Sequence, residues 1–547
     1  MATANESYHS QSWGPLDTLQ AFPSPLEKPV PYFITAFLLF VFYFSIQQEE
    51  STPSTNVPLL NPKSRWDFTG LKVKWDFAIY VRYLVLWRAK KNPDEAYQVM
   101  TDCGEMTVLP PVPYANEIRN HEDLSFDRVL DKASQNLNAE QYPDRNFHAH
   151  LPGFEPLREA NPDKMVLKHV IRTRLTQFLA KLTAPMNDET TRALDDVIGN
   201  EKEWKPLVIK ENMVKVVARV STRIFGGEQL CRNEKWLKIT SEYARTSFFA
   251  SEILRVFPKP LRWIVHQLNP FSLRLQSQVK GARQIINPIV EERRREKKAA
   301  EDRGEDEPEY NDCLEWCEES SEEGVADPAV VQLALSFAAI HTTSDMVTQA
   351  MIDLAKNPEY FEPLRTEIME VVRTDGWNKM GLYKMRLLDS FCKEVQRINP
   401  ISMVGMHREA TKPVTLSNGI ELPQGARIAV SCQQMWNHNI YPDPARFDGY
   451  RYLRLRERLG PGNEGAAHFV STTPEHLGFG HGQHACPGRF FAANEVKIIL
   501  CHLLVNYDWR LAPEVKTRTQ TFGLTNEVDP KAKIEIRRRD VDVGVGA

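Results

Sequence analysis

The stretch His476–Glu495, HLGFGHGQHACPGRFFAANE, sets one cysteine among glycines and a proline and then continues into an apolar run. The glycines let the backbone turn tightly and pass close to a flat partner. Pro487 and Gly488 predict the start of a helix near Arg489, so Cys486 would lie just before a helix N-terminus, where partial positive charge favours thiolate over thiol. A cysteine displayed in this way predicts a metal ligand.

The same cysteine has two other interpretations. An isolated cysteine is usually buried as a packing residue, and His481, His484 and Cys486 together could bind zinc. A zinc site would not require a phenylalanine and three glycines at these spacings. The loop therefore favours a larger and flatter metal group.

The segment Phe479–Gly488 resembles the haem-ligand loop of cytochrome P450, F-x-x-G-x-R-x-C-x-G. One position departs from that pattern, because a histidine stands where the family usually has an arginine for a haem propionate. The contact at this position is therefore expected to depend on pH. The resemblance implies haem b as the cofactor, with Cys486 as the axial iron ligand and with Phe479, Gly480, His484 and Gly488 around it.

Size and composition describe an ordinary folded protein with a large core. The chain has 547 residues, of which 42% are hydrophobic and 26% charged. A net charge of -4 and a pI near 6.4 give no indication of nucleic-acid binding. The eight cysteines lack the paired spacing of a disulfide framework, so a reducing compartment is expected.

An uncharged run near the N-terminus predicts a membrane anchor. The first 28 residues are polar, and Pro31–Ile46 then reads PYFITAFLLFVFYFSI. As a helix this run rises ~24 Å, short of the ~30 Å hydrocarbon core, so flanking residues must extend it or the bilayer must thin. A cleaved signal peptide is one alternative, but the run is not near the terminus, lacks a basic leader and has no small-residue cleavage site after it. A buried core helix is another, but the run has no amphipathic stripe. We expect a polar N-terminus over 1–28, a transmembrane anchor over 29–48, a proline-bearing linker over 49–65 and a haem-thiolate monooxygenase domain over 66–547.

Charges flanking the anchor predict its orientation. Four basic residues follow it between positions 63 and 74, whereas Lys28 alone precedes it. The positive-inside rule places the catalytic body in the cytoplasm and the N-terminus in the lumen. The resemblance to microsomal members of the family implies the endoplasmic reticulum as the membrane. Asn5 begins the only N-x-S/T sequon of the chain and falls on the lumenal side, so it is a predicted glycosylation site.

A second motif lies in a long apolar helix. Asp327 and Pro328 supply an N-cap and a first-turn proline for a helix that should run to about Leu354. Within it, residues 338–343 read AAIHTT and resemble the oxygen-groove motif A/G-G-x-D/E-T-T/S. The alternative is a mid-helix threonine pair on a packed face. By resemblance, the catalytic residues are Thr342, which donates a hydrogen bond to oxygen, His341, a proton relay at the usual acidic position, and Thr343.

A third motif predicts a buried charge network. Glu394 and Arg397 lie three residues apart on one face of a helix predicted over Leu382–Asn399, a weak signal alone. Pro444-Ala445-Arg446-Phe447 resembles the family's P-E-R-F motif. The resemblance implies a structural triad of Glu394, Arg397 and Arg446, which would act in folding and haem retention rather than in catalysis.

Further residues follow from their positions relative to these motifs. Arg172 matches the arginine of a half-preserved W-x-x-x-R motif, and Arg408 matches another propionate ligand. Phe337, Ala338, Met403 and Val404 are the candidate substrate-pocket residues. Val414–Val430 predicts a β-hairpin turning at Asn418-Gly419. The charge-rich segment Glu291–Gly324 is interpreted as a solvated connection.

The resemblance implies a mainly α fold with small β-sheets, the cytochrome P450 fold, and a single N-terminal transmembrane helix. The implied reaction inserts one oxygen atom from O2 into a hydrophobic polycyclic substrate. The sequence contains no flavin or dinucleotide motif, so electrons from NADPH would come from a separate membrane reductase, with cytochrome b5 as an additional donor. The motif wording is most similar to fungal ent-kaurene oxidases and indole-diterpenoid or other terpenoid oxidases, which indicates secondary metabolism.

Two other functions would retain Cys486. A haem-thiolate isomerase or dehydratase would not need Thr342 or a reductase. A non-catalytic haem sensor or carrier would keep the fold without turnover, but the small residues of the oxygen groove argue against it.

Overall fold

The computed structural model of the protein describes residues 55–67, 70–102, 104–130, 151–159, 165–257, 259–320, 327–512 and 517–540, together with Thr35. The polar N-terminus over 1–28, nearly all of the anchor over 29–48 and the sequon at Asn5 lie outside the described residues. The membrane anchor, its orientation and the glycosylation site therefore stay predictions.

The described chain is mainly helical, as expected. The N-terminal half contains the helices α1 Leu71–Lys91, α2 Pro111–Ile118, α3 Asp127–Leu130, α4 Glu155–Glu159, α5 Met165–Val170, α6 Leu179–Val197, α7 Ile209–Phe225, α8 Glu228–Cys231, α9 Glu234–Val256 and α10 Lys259–Leu268. The C-terminal half contains α11 Pro270–Arg303, α12 Cys313–Ser320, α13 Pro328–Lys356, α14 Phe361–Asp375, α15 Lys379–Lys384, α16 Arg386–Ile398, α17 Arg451–Leu459 and α18 Arg489–Asn506.

Small sheets complete the fold. Their strands are β1 Tyr97–Thr101, β2 Gly104–Leu109, β3 Leu124–Ser125, β4 Lys205–Val208, β5 Val404–Ala410, β6 Val414–Thr415, β7 Glu421–Leu422, β8 Arg427–Ser431, β9 Tyr507–Leu511, β10 Gln520–Phe522, β11 Thr525–Glu527 and β12 Lys533–Arg538. The largest sheet has the order β1-β2-β8-β5-β3, in which only β2 and β8 pair in parallel. The other sheets are β4-β12-β9 and the hairpins β6-β7 and β10-β11.

Helix α13 occupies the centre of the molecule and begins where the sequence predicts. One carboxylate oxygen of Asp327 accepts hydrogen bonds from the N–H groups of Ala329 at 3.0 Å and Val330 at 3.3 Å. The helix packs against α7, α9, α11 and α18. Within the described residues it is the one helix long and apolar enough to cross a membrane, but most of its apolar stretch is buried in the protein core. Its hydrophobicity therefore reflects a central position in a folded domain.

The hairpin prediction is confirmed in part. Strands β6 and β7 pair antiparallel and turn near Gly419, which adopts a left-handed φ of 76°. β8 instead leaves the hairpin and joins the large sheet between β2 and β5.

The charge-rich segment Glu291–Gly324 is not a simple solvated connection, and that interpretation is wrong for much of it. Its first part continues α11 to Arg303, and its later part folds as α12, with Trp316 buried and stacked on Phe178 at 5.3 Å between ring centroids. A fork of two hydrogen bonds, 2.9 and 2.6 Å long, joins Arg293 to Asp312. Such ion pairs let a charged segment pack against the core.

Candidate active site

A cavity of about 360 Å³ lies between the central helix and the cysteine loop. Ala338, Ala339 and Thr342 of α13 line one part of it, and Phe479, Cys486 and Gly488 line another. The structure therefore brings together the two motifs that the sequence separates by more than a hundred residues. Ile171 and Leu175 add an apolar wall from a short π-helical turn that follows α5.

The cysteine loop is shaped by its glycines and by one backbone hydrogen bond. The N–H of Cys486 donates to the carbonyl of Phe479 at 2.8 Å, which closes the loop. Gly482 has a φ of +76°, and a Cβ there would lie 2.5 Å from the Cβ of Arg119. Only glycine fits that position without displacing the neighbouring chain. Helix α18 then begins at Arg489, as predicted.

The environment of Cys486 differs from the sequence expectation in one respect. Burial raises the pKa of the thiol above its usual range, and this effect exceeds the opposing influence of the Gly488 and Arg489 N–H groups and of the Arg489 charge. The helix N-terminus is present, but desolvation of the thiolate outweighs it. A metal cation at the sulfur would reverse that balance, since a coordinating thiol is deprotonated.

The residues around the cavity fit a haem. A Cβ built on Gly488 would meet no atom within 4 Å, so the chain leaves open space directly beside the cysteine. In the parts of the chain that the structure describes, no group of three or more His, Cys, Asp or Glu side chains could hold a metal ion. His481 instead contacts Thr472 at 3.3 Å and Asn116 at 3.2 Å. One sulfur beside an open apolar space suits a haem iron and not a zinc ion.

The predicted propionate ligands lie around the same loop. Arg172 donates a hydrogen bond to the carbonyl of Gln483, the residue before His484. The ring of Phe126 lies 5.8 Å from the ring of His484 and 5.9 Å from the guanidinium of the buried Arg408. Three basic side chains from separate segments thus gather beside one loop. Their contact with a propionate stays a prediction.

Thr342 and Thr343 both line the cavity. The hydroxyl of Thr342 donates to the carbonyl of Ala338 at 2.9 Å and approaches that of Ala339 at 3.3 Å. This back-bonding competes with the helical hydrogen bonds and holds the hydroxyl against a helix edge that opens onto the cavity. Thr343 is buried next to it.

Comparison with known proteins identifies the family. Residues 85–534 match the family model described as Cytochrome P450. The chain belongs to the cytochrome P450 family. Membership implies a haem with a cysteine thiolate ligand, and Cys486 is the cysteine that lines the cavity.

The names of similar proteins show which class of enzyme this P450 belongs to. The chain is 44% identical to the cytochrome P450 monooxygenase hepE of Aspergillus oryzae over 89% of this chain and 86% of the relative. It is 40% identical to the cytochrome P450 monooxygenase TRI1 of Fusarium sporotrichioides, over 92% and 90% respectively. It is 36% identical to the dihydromonacolin L monooxygenase mokC of Monascus pilosus, over 89% and 90%. The protein is a cytochrome P450 monooxygenase, and therefore an oxidoreductase.

A solved structure supports the fold independently. The retinoic acid-bound cyanobacterial CYP120A1 matches with a TM-score of 0.62 over 89% of this chain and 100% of that chain. Its sequence identity is 16%, so the likeness concerns the fold alone.

His341 does not lie where a relay to the P450 cavity requires it. Its Nε2 donates to the carbonyl of Ser241 on α9 at 3.1 Å, and the side chain is not part of the cavity lining. Burial, with the charges of Lys210 and Arg245, lowers the pKa of the imidazole to about 4. The residue next to Thr342 in sequence points elsewhere because neighbours on a helix are turned by about 100°.

Of the four candidate pocket residues, only Ala338 lines the cavity. Phe337 packs edge-on against Tyr243, with 6.4 Å between ring centroids. Met403 and Val404 are buried in a separate core cluster below the large sheet. Met403 and Val404 do not line this cavity, because the chain enters β5 just after the segment that reaches it. Pro400 and Ile401 line it instead.

The charge triad contains a different arginine from the one predicted. Arg397 forms a two-bond fork with Glu394, at 2.8 and 2.9 Å, and both side chains are fully buried. The third member is Arg451, whose Nε lies 3.2 and 3.1 Å from the two carboxylate oxygens of Glu394. Arg446 is exposed, because Phe447 takes the inward position and packs on Phe391 at 5.0 Å.

Sequence reasoning also missed a polar part of the P450 cavity. Asp345 lines it from α13, and Glu527 lines it from β11. A signal for Asp345 was available, since residues three apart on a helix share a face and Asp345 lies three residues beyond Thr342. No local pattern marks Glu527, because its position at the cavity depends on the tertiary packing of the hairpin β10-β11.

Proposed function

We propose that this P450 inserts one oxygen atom from O2 into a hydrophobic polycyclic substrate of terpenoid, meroterpenoid or indole-diterpenoid type in fungal secondary metabolism. The observation that carries the proposal is the position of Cys486 and Thr342 on the walls of one largely apolar cavity. Relatives named as monooxygenases in Aspergillus, Fusarium and Monascus support the fungal assignment, and one of them is named for dihydromonacolin L.

The side chains supply positioning and exclusion of water. When bound, haem supplies the oxygen-activating chemistry, with Cys486 as its ligand. Ala338 and Ala339 leave room in the cavity, since a larger side chain on this helix face would project into it. Phe225 and Leu335 contribute apolar surface that keeps bulk water from the reacting carbon. Thr342 holds a hydroxyl, and thereby an exchangeable proton, at the cavity wall.

Electrons from NADPH reach the site through a separate reductase in this proposal, with cytochrome b5 as an additional donor. P450 enzymes generally receive electrons from redox-partner reductases, which supports a separate protein as the source. Arg172 is exposed beside the cysteine loop and offers positive charge that a partner with an acidic surface would meet.

We place the protein on the endoplasmic reticulum membrane, anchored by residues 29–48, with the catalytic body in the cytoplasm and Asn5 in the lumen. An apolar stripe on α1 supports membrane contact of the body. Trp75, Ile79, Tyr83 and Trp87 recur every four residues and are 67%, 43%, 62% and 53% exposed. Tryptophan and tyrosine side chains favour the membrane interface, where the ring is buried and its polar edge stays wet.

The optical spectrum of the reduced protein with carbon monoxide tests the proposal. Wild type should show the strongly red-shifted Soret band of thiolate-ligated haem, and Cys486→Ser should lose it. An imidazole-type band in the wild type would mean that a histidine ligates the iron. Absence of haem from the wild type would contradict the assignment.

Dependence on reductants separates the alternative functions. The wild type with a membrane reductase should consume NADPH and O2 and form oxygenated product from a panel of terpenoid substrates. Turnover without NADPH would favour a haem-thiolate isomerase or dehydratase. A correct spectrum with no NADPH consumption under any substrate would favour a haem sensor.

A further inference from the structure

Asp345 is an acidic side chain in the cavity that the resemblance to the family does not account for. It lies three residues beyond Thr342 on α13, and both residues line the same cavity. Residues at this spacing are neighbours on a helix surface. The carboxyl therefore stands one helical turn from the threonine hydroxyl, on the same face.

Lys210 of α7 holds this carboxyl in place. Its ammonium bonds to Oδ1 of Asp345, with the Ser344 hydroxyl at 3.4 Å and the carbonyl of His341 at 3.5 Å as further partners. The lysine side chain is 9% exposed and that of Asp345 is 16% exposed. The pair is thus largely shielded from water, and Asp345 keeps only a narrow exposed surface.

A second carboxylate connects this part of the cavity with solvent. Glu527 of β11 also lines the cavity and is an exposed residue. It is close enough for its charge to act on Asp345. The cavity therefore has a carboxyl-bearing wall that begins at the surface and continues inward to the helix face of Thr342.

The pKa of Asp345 allows its carboxyl to gain and lose a proton near neutral pH. Burial raises the pKa of Asp345 to about 6, with a further increase from Glu527, and Lys210 opposes both. Proton transfer is most effective when the pKa of the donor is close to the working pH. His341 has a pKa lowered to about 4 and points to Ser241 on another helix.

We propose that the carboxyl of Asp345, held in place by Lys210, donates protons to the part of the cavity next to Thr342. In this step the O–H bond of the protonated Asp345 carboxyl breaks and the proton passes to a water molecule at Oγ1 of Thr342. The carboxylate then takes a proton from solvent along the Glu527 side. This inference rests on the proposed monooxygenase function, but it concerns this chain's own acid.

Infrared spectroscopy of the purified holoenzyme tests the proton-holding group without turnover. A pH titration of the wild type should show a protonated-carboxyl band that disappears with an apparent midpoint near pH 6 and is absent from Asp345→Asn. Lys210→Met should move the midpoint upward, since a positive charge next to the carboxyl is lost. An identical titration in wild type and Asp345→Asn would overturn the assignment of the proton to Asp345.

Electron use gives the second readout. With NADPH and a membrane reductase, Asp345→Asn should release at least twofold more hydrogen peroxide per NADPH and show a larger rate decrease in D2O than the wild type. Asp345→Glu, which restores a carboxyl, should recover most of the loss. Glu211→Gln is the matched control, because it makes the same chemical change at an exposed residue next to Lys210.

The outcomes separate this inference from the function on which it rests. A wild type without a thiolate-haem spectrum or NADPH consumption would contradict the monooxygenase proposal itself. If the wild type is functional but has the same peroxide yield and D2O effect as Asp345→Asn, the proton route is overturned and the monooxygenase function is not. A change in His341→Gln without one in Asp345→Asn would place the route at His341. If Asp345→Asn fails to retain haem, the Asp345→Glu and Lys210→Met titrations decide the question.

Discussion

Replacing Arg451 by alanine should destabilise the protein far more than the same change at Arg446. In the structure Arg451 bonds both oxygens of the buried Glu394 carboxylate and also donates to the carbonyl of Pro442 at 2.8 Å. Arg446 lies on the surface, and its carbonyl accepts a hydrogen bond from Arg451 that any residue at 446 would preserve. The two variants therefore test whether Arg451, as in the structure, or Arg446, as in the P-E-R-F motif, completes the network with Glu394.

The expected loss of stability depends on the hydrogen bonds that Glu394 keeps when Arg451 is removed. Removing one partner of a buried ion pair typically costs ~3–5 kcal/mol, because the remaining charge is left buried without compensation. Glu394 keeps its two bonds from Arg397, so the loss should lie at the lower end, about 3 kcal/mol. Surface substitutions away from such networks usually change stability by less than ~0.5 kcal/mol, which is the expectation for Arg446→Ala.

Urea titration provides the assay, with haem absorbance and far-ultraviolet circular dichroism as parallel probes. The midpoint should fall for Arg451→Ala and remain near the wild-type value for Arg446→Ala, with similar slopes in all three proteins. Arg451→Lys should recover only part of the loss, since an ammonium cannot form the same forked contact. A larger effect at Arg446 than at Arg451 would refute the network described above.

Three further perturbations have expected outcomes. Glu495 is fully buried, and burial raises its pKa to about 8 despite a hydrogen bond from Ser221. Stability from the protonated carboxyl is complete below the unfolded pKa and is lost as pH rises through about 8, a change of about 5 kcal/mol that Glu495→Gln should remove. Thr342→Ala should raise peroxide release per NADPH several-fold while leaving the spectrum with carbon monoxide intact. His484→Arg should improve haem retention at mildly alkaline pH, because arginine stays charged where histidine does not.

Each of these outcomes has a measurement that would contradict it. Equal pH dependence of unfolding in wild type and Glu495→Gln would show that the carboxyl is not protonated in the fold. Unchanged peroxide yield and rate in Thr342→Ala would exclude the hydroxyl from proton handling. Equal haem loss by wild type and His484→Arg across pH would remove the propionate contact.

Sequence patterns correctly predicted those features of the structure that depend on neighbouring residues along the chain. The loop around Cys486 and the start of α13 at Pro328 follow from glycine, proline and N-cap chemistry, which depend on neighbours along the chain. The shared cavity followed only by resemblance to a family, since no spacing rule joins Thr342 to Cys486 across the sequence.

The wrong predictions share a physical cause. Whether a side chain is buried, and which way it points, depends on tertiary packing. Arg446 and Arg451 each precede an aromatic residue, and only packing decides which arginine reaches Glu394. Helical rotation turned His341 away from the cavity and brought Asp345 into it. In the segment Glu291–Gly324, charge density suggested solvent exposure, but ion pairs from α11 to Asp312 and to Glu315 of α12 compensate several charges within the folded protein.

The central position of α13 has a consequence for synthesis. This helix is as apolar as a membrane span, and of the helices that cover it, α7 precedes it in the chain and α18 follows it. The ribosome completes α18 last, so the apolar surface of α13 stays partly uncovered until residues 489–506 have emerged. Chains that stop before Arg489 should therefore aggregate or be degraded rather than persist as haem-free domains.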